Sequence, residues 1–487
     1  MDLFYQLNEN LDSIIWGPPM IILLIGCGLY LTIRSNFVVF RKFPFILKET
    51  VGRVLARNQH TGHVGEVTSF QALSTALAAT VGTGNIVGVA GAILLGGPGA
   101  IFWMWIAALV GMTTKMAEST LAVAYRDVSD QGVVRGGPMY YISKGLGFKT
   151  LAKCFAFFGM IATLSTGNTV QSNAISSTLY AAFQIPKLAS ALVVTLVTFI
   201  VIIGGIKRIG AFAEKLVPFM SGLYLLGALF IICTRLHQVP EAFGMIFKGA
   251  FQTKAAAGGL GGYTIGLAMR SGIARGVFTN EAGLGSSPIA HAAASTDHPA
   301  RQGLWGVFEV FVDTLVVCTM TSLVILTTGI WTGHGDASSL VAFSFEEGFP
   351  GGKYIVTFGL TLFAMSTILG WEYYGETCCR YFLGDKIGRY YKFIFVPMVF
   401  LGGLIRLDAV WAVANNLNGL MAIPNLIGLL GLSGVFIRLQ KQFFNDHPSD
   451  VYHPDEWHPL VTEKTNKIFK LPGLPGVFFG PASFCFP

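Results

Sequence analysis

Gly82-Thr83-Gly84-Asn85 interrupts a stretch, Gln71 to Gly99, that is otherwise long and apolar enough to cross a bilayer. Two glycines around a threonine, followed by asparagine, are poor helix formers. In a membrane an opened turn survives only where its freed backbone groups are buried in protein or line a wet cavity. Carbonyls released there can ligate a small cation, and the N–H groups that open the second half-helix can hold a carboxylate. A packing face of small residues is the competing explanation. The hydroxyl pair Ser366-Thr367, within Phe363 to Glu372, is the second candidate. Such hydroxyls bond back to the preceding turn, or, beside an unwound segment, complete a Na⁺ shell. Gln171-Ser172-Asn173 is either a polar lining or interhelical glue. Lys115, Glu118, Glu281, Glu309, Asp313, Glu372 and Glu376 are the ionisable residues in apolar runs. Lys115 and Glu118, three apart, are spaced to pair, and a carboxylate among the others could relay protons. The break itself holds no carboxylate, so its oxygens are neutral and suit Na⁺ better than a proton.

Other chemistry finds little support. H-E-x-x-H, G-x-S-x-G and Walker sequences are absent, and the glycine-rich 281–287 lacks the lysine of a phosphate loop. An enzyme is not expected, and no cofactor is called for beyond Na⁺ as coupling ion. The seven cysteines include no C-x-x-C, and six of them lie in or beside apolar runs, which points to reduced, inert thiols. His447, His453 and His458 precede prolines in a charged tail and have no helical spacing from which to build a metal site.

The elements that position these residues are transmembrane. Of 487 residues 53% are hydrophobic and 12% charged, about half the charged share of a soluble domain, and the mean hydropathy is +0.60. The chain reads as an all-α polytopic membrane protein with about eleven transmembrane helices, near 14–33, 68–95, 98–126, 150–182, 188–206, 212–234, 259–294, 302–330, 353–383, 390–406 and 409–438. The net charge of +7 does not signal nucleic acid, because lysines and arginines sit in short loops on one side. That bias puts the N-terminus outside and the C-terminus in the cytoplasm. The first span is preceded by acidic residues alone and reads as a retained helix rather than a signal peptide. Residues 34–66 read as a cytoplasmic amphipathic segment. Residues 136–142 read as an interfacial element with Tyr140 and Tyr141 at headgroup level, and Asp336, Glu346 and Glu347 as an acidic outer loop. The span at 259–294 is also broken, by Gly276, Gly283, Gly285 and Pro288. It lies five spans after the first broken one, so the two cross in opposite directions. Paired interrupted helices in inverted halves point to a secondary transporter's midplane site.

GTGNIVGVAGAI (82–93), GGPGAIFWMW (96–105), GGPMYYI (136–142), QSNAI (171–175), RGVFTNEAGLGSSPIAHA (275–292) and STILGWEYYGE (366–376) together resemble the alanine or glycine:cation symporter family, the sodium:alanine symporters. The resemblance runs from about Glu66 to about Leu439. It implies a LeuT-like core of two inverted five-helix repeats, 68–234 and 259–438, after a leading helix and linker (1–67) and before a cytoplasmic tail (439–487). It implies Na⁺-driven symport of a small neutral amino acid, alanine or glycine and conceivably D-alanine, across a bacterial inner membrane by alternating access. A proton-coupled carrier or an exporter is the alternative. By the same resemblance the N–H groups of Thr83 and Gly84 hold the substrate carboxylate, bordered by Asn85. Thr80, Gln171 and Phe278 line the pocket. The Ala78, Val81 and Phe363 carbonyls with the Ser366 and Thr367 hydroxyls form the Na⁺ site. Met365 departs from the aromatic residue expected there.

Overall fold

The computed structural model describes residues 15–55, 64–129, 133–252, 264–333, 335–405 and 408–445. The tail beyond 445, with its three His-Pro pairs, lies outside the described residues, as do 56–63 of the linker. Helix α1 spans Pro18–Arg34. The first broken helix is α2, Ser69–Thr80, followed by α3, Gly84–Gly96, bent by 52° at the break. Then come α4 (Gly99–Ala124), α5 (Pro138–Leu146), α6 (Lys149–Phe183), α7 (Lys187–Ile202), α8 (Gly205–Thr234) and α9 (Val239–Phe251). The second broken helix is α10, Ile265–Asn280, with α11, Pro288–Ala292. Helices α12 (Pro299–Thr328), α13 (Ala337–Gly348), α14 (Gly352–Leu383), α15 (Lys392–Gly402), α16 (Asp408–Gly431) and α17 (Ser433–Asn445) complete the chain. Among the described residues five helices are long and apolar enough to span a membrane, or seven if each bent pair counts as one.

The ends of the broken helices show how they run. Strand β1 (Val67–Thr68) pairs in parallel with β2 (Ala294–Ser295), so α2 starts where α11 finishes. At the far end a Cβ on Gly96 would lie 3.0 Å from Ala268 and 2.9 Å from Ser271, so α3 finishes where α10 starts. The two therefore cross in opposite directions, as the sequence implies. Thr68 caps α2 reciprocally with Gln71: its hydroxyl accepts the Gln71 N–H and its own N–H donates to Gln71 Oε1, both at 3.1 Å. Arg126, at the end of α4, fastens this corner by donating to the carbonyls of Val64, Ala292 and Ala294.

Helix α4 is wedged between α10 and α12 because glycines meet it on both sides: a Cβ on Gly272 would lie 2.1 Å from the Ala100 carbonyl, and one on Gly303 2.3 Å from the Thr120 hydroxyl. The perimeter is apolar, with Leu192, Leu196, Phe219, Leu226, Phe230 and Phe393 exposed on α7, α8 and α15, while Lys115, Glu118, Glu281, Glu309, Asp313 and Glu372 are buried.

Three expectations are corrected. Tyr141 does not present its ring to headgroups: it is fully buried in the protein, with its hydroxyl donating to Asn425 Oδ1. The stretch holding Glu346 and Glu347 is not a loop but the helix α13, started by Asp336, whose carboxylate accepts the N–H groups of Ser338 and Ser339. Lys115 and Glu118 do not pair; Lys115 lies 3.3 Å from Glu309 and donates to Ser287 at 2.7 Å, while Glu118 accepts from Gly283 N–H and Asn425. Neighbouring helices outcompete the i,i+3 partner because a buried charge needs several donors or acceptors at once.

Candidate functional site

Helix α2 ends at Val81, whose backbone turns extended (ψ 91°). The freed Gly82 N–H is taken by Asn85 Oδ1 at 2.9 Å. The other end of the Asn85 amide donates to Asp313, at 2.6 Å to the carboxyl and 3.2 Å to the backbone carbonyl, and to Cys318 Sγ at 3.3 Å. Asp313 lies in a widened π turn, Phe311–Cys318, and α3 itself opens with one, Gly84–Gly88. Widened turns release carbonyls from the helical ladder, which is why the Asp313 carbonyl can receive a side chain from another helix. Asn85 is thus engaged in clamping the break to α12. Asp313 is the residue that sequence reasoning missed here: it stands out as an intramembrane charge, but nothing in the string joins it to position 85.

Of the five residues expected to hold Na⁺, Ala78, Phe363, Ser366 and Thr367 are joined by hydrogen bonds on the other flank. Ser366 Oγ donates to the Phe363 carbonyl at 2.8 Å and lies 3.1 Å from the Ala78 carbonyl, across from α14 to α2. Thr367 Oγ1 bonds the Phe363 carbonyl at 3.0 Å, and a Cβ on Gly82 would lie 2.6 Å from it. Val81, fully buried, sits between Ala78 and Gly82. Both accounts of the hydroxyl pair therefore describe the same atoms, which bond back along α14 and face the unwound turn.

The pocket residues divide. Gln171 reaches the break: its amide donates to the Thr166 carbonyl at 3.1 Å, freed by a π turn in α6, and its Oε1 lies 3.7 Å from the Cβ position of Gly82. That oxygen and the Thr83 hydroxyl are buried without a hydrogen-bond partner among the described residues. Ser172 and Asn173 point elsewhere, to the Val399 and Gly402 carbonyls at 2.6 and 3.0 Å, and act as glue to α15. Phe278 of α10 faces Gly84, with Cδ1 3.3 Å from a Cβ placed there; the Thr279 methyl is closer, at 2.8 Å. Thr80 turns its hydroxyl back to the Ala76 carbonyl at 3.1 Å.

The second break is held by side chains. Glu281 adopts the left-handed conformation (φ 56°) and accepts hydrogen bonds from Ser286 and, at 3.1 Å, from the Trp371 indole of α14. Beyond it a buried chain runs from Lys115 through Glu309 to His291, 3.0 Å from Glu309, and Gln302, 2.8 Å from His291. The first break therefore brings together neutral oxygens of α2 and α14, a clamped unwound turn and two buried polar atoms without a hydrogen-bond partner among the described residues.

Comparison with known proteins shows the family that the sequence resembles. A sequence model of the sodium:alanine symporter family matches residues 1–455. The chain is 47% identical over 448 residues to the "Sodium/alanine symporter AgcS" of Methanococcus maripaludis, covering 90% of this chain and 97% of that protein. It is 47% identical over 450 residues to an uncharacterized transporter of Haemophilus influenzae, covering 92% and 97%. It is 38% identical over 445 residues to the "Probable sodium/glutamine symporter GlnT" of Bacillus subtilis, covering 89% of each. Among solved structures, MhsT in complex with L-phenylalanine superposes with a TM-score of 0.54 at 13% identity, over 82% of this chain and 94% of that one, which is a likeness of fold.

Proposed function

The chain belongs to the sodium:alanine symporter family, a family of LeuT-fold transporters and not of enzymes, and from that premise we propose that it symports alanine or glycine with Na⁺ by alternating access. Sodium-coupled amino-acid symport is what the family and the related symporters support; the substrate and the residues are our reading. One observation carries it: the Ser366 hydroxyl sits 3.1 Å from the Ala78 carbonyl and 2.8 Å from that of Phe363, so a cation placed among them meets only neutral oxygens. The Thr83 hydroxyl and the N–H groups at the start of α3 suit a carboxylate, and Gln171 Oε1 suits an ammonium. Phe278 and Thr279, crowding Gly84, favour a small side chain. Helices within 68–234 and 259–438 act as the two repeats. The corner where Arg126 ties β2 carries Arg135, Lys144 and Arg380 nearby in sequence or contact, and by the positive-inside bias it faces the cytoplasm of a bacterial inner membrane, with the N-terminus outside.

The test is labelled-alanine uptake into proteoliposomes under an inward Na⁺ or an inward H⁺ gradient, with glycine, alaninamide and glutamine as competitors. Na⁺ should drive uptake, glycine should compete, and alaninamide and glutamine should not. Alaninamide competing as well as glycine would remove the carboxylate from the reading. A proton-coupled carrier or exporter is the second reading, supported by Asp313 on Asn85 and by Glu281 in the other break. It prevails if uptake persists without Na⁺ and is lost in Glu281→Gln.

A further inference from the structure

Among the described residues five carboxyl groups are buried: Glu118, Glu281, Glu309, Asp313 and Glu372. Four are held by partners. Glu118 has Asn425 and Gly283, Glu281 has Ser286 and Trp371, Glu309 has Lys115 and His291, and Asp313 has Asn85 and Thr314. Glu372, 1% exposed, is the exception: neither oxygen has a hydrogen-bond partner among the described residues.

Its place on α14 explains the isolation. Gly370 packs against Ala79 of α2, and two residues further, at about 100° per residue, Glu372 points away from the break. It lies on the stripe of Ile368, Gly375 and Cys379. Ile368 and Cys379 share an apolar cluster with Tyr391, Phe395 and Val399, and a Cβ on Gly375 would touch Thr163 and Tyr391 at 2.5 Å. The charges acting on Glu372 are Glu376 and Arg380 of its own helix and Lys392 of α15, and Tyr391 feels it in turn. The Tyr391 hydroxyl is engaged with Thr163 and the Met160 carbonyl, and Arg380 donates to Glu376 at 2.8 Å. No neighbouring cation is bonded to it. A buried carboxylate without a hydrogen-bonding or ionic partner is strongly disfavoured in such surroundings, whereas the neutral acid is tolerated.

We propose that Glu372 is a proton-binding site, loaded while α14 is packed on α6 and α15 as here, and emptied into water when that seam opens toward Glu376 and Arg380. About one turn of helix separates it from Glu376 and about two from Arg380; their side chains are 18% and 20% exposed. On opening the carboxyl gives up H⁺ to the water of that side. If the transport cycle then reloads it with H⁺ from water on the opposite side, a proton crosses the membrane in addition to Na⁺ and the amino acid. Only this last consequence rests on the carrier reading.

Two measurements on the full chain decide it. Dicyclohexylcarbodiimide forms a stable adduct with protonated carboxyls in apolar surroundings. Peptide mass spectrometry should find the adduct at Glu372, falling as pH rises, absent in Glu372→Gln and far weaker at Glu376. In proteoliposomes loaded with a pH-sensitive dye, alanine with Na⁺ should change the internal pH, and Glu372→Gln should lose that change. No adduct at Glu372 at any pH overturns the site. An equal pH change in both proteins, or none in the unmodified one while it moves labelled alanine, overturns the transport consequence. If alanine is not moved at all, the carrier reading fails, and the adduct still decides the proton site.

Discussion

Gly82 shows what a single missing side chain does for this site. Its Cα faces Thr367, and a methyl there would lie 2.6 Å from the Thr367 hydroxyl, inside contact distance. Gly82→Ala should therefore displace one proposed Na⁺ ligand without touching the rest of α14. The expected result is a rise of about tenfold in half-saturating Na⁺, or about 1.4 kcal/mol, read from uptake against Na⁺ concentration; an unchanged Na⁺ curve would take Thr367 out of the site. Asn85 makes the opposite case, a side chain with every polar atom in use. Asn85→Ala strands the Gly82 N–H and a buried Asp313, costing about 1–3 kcal/mol and lowering the melting temperature. Asn85→Asp should be worse, since two carboxyls then meet where an amide and a carboxyl sit 2.6 Å apart. The break was legible because glycine and asparagine announce their backbone habits locally. Its partner was not, because Asn85 and Asp313 are 228 positions apart, and which helices lie side by side is decided by packing.

At the scale of elements, the sequence gives away the helices that need about 20 apolar residues and hides those that do not. Helices α9 and α13, 13 and 12 residues long, are too short for a span and too polar on one face to interrupt a loop assignment. Tyr141 was misplaced for a related reason: an aromatic hydroxyl is equally at home at a headgroup and on a buried amide, and only Asn425 of α16 distinguishes them. The crowding of α3 gives a paired test. A Cβ on Gly84 would meet the Thr279 methyl at 2.8 Å, whereas one on Gly91 would meet only Ala337, at 3.9 Å. Gly84→Ala should cut alanine transport at least tenfold and Gly91→Ala less than twofold, by initial uptake rates in cells with equal surface expression. Similar losses in both would mean that α3 tolerates no added bulk anywhere, and that the contact with α10 is not special.

For the whole molecule, apolar side chains cover the rim, and a small set of mostly partnered charges lies within a largely apolar interior. Composition made that apolar rim legible. The hubs that tie the ends of the chain in place were not, since they join residues with no common pattern. One hub is built on Arg301, which bonds Asp297 at 2.6 Å, pairs with Glu49 from the segment after α1, and lies over the Phe443 ring of α17 at 5.0 Å. His298, beside it, accepts the Ala300 N–H with Nδ1 at 3.1 Å and starts α12. Burial pushes its imidazole down to about 4 from an ordinary 6.5, with Asp297 opposing and Arg301 reinforcing. The unfolded chain therefore takes up that proton first as pH falls, so stability is full above about 6.5 and declines toward 4. Thermal unfolding in detergent should follow that slope, and His298→Asn, which keeps a capping acceptor, should flatten it. Equal slopes would place the sensitivity elsewhere.

The short pairing of β1 with β2 is, to a spectroscopist, a built-in ruler. Glu66 N–H donates to the Ala293 carbonyl at 2.8 Å, and one guanidinium grips both sides. The starting point of one broken helix and the finishing point of the other are thereby fastened into a single piece. Spin labels placed across that corner should report one sharp distance whatever solute is present. A second pair, one label on that piece and one near the end of α14, should broaden or shift when Na⁺ and alanine are added. The first distance calibrates the second within the same molecule, and a corner whose own distance spreads would show that the two broken helices part company during the cycle.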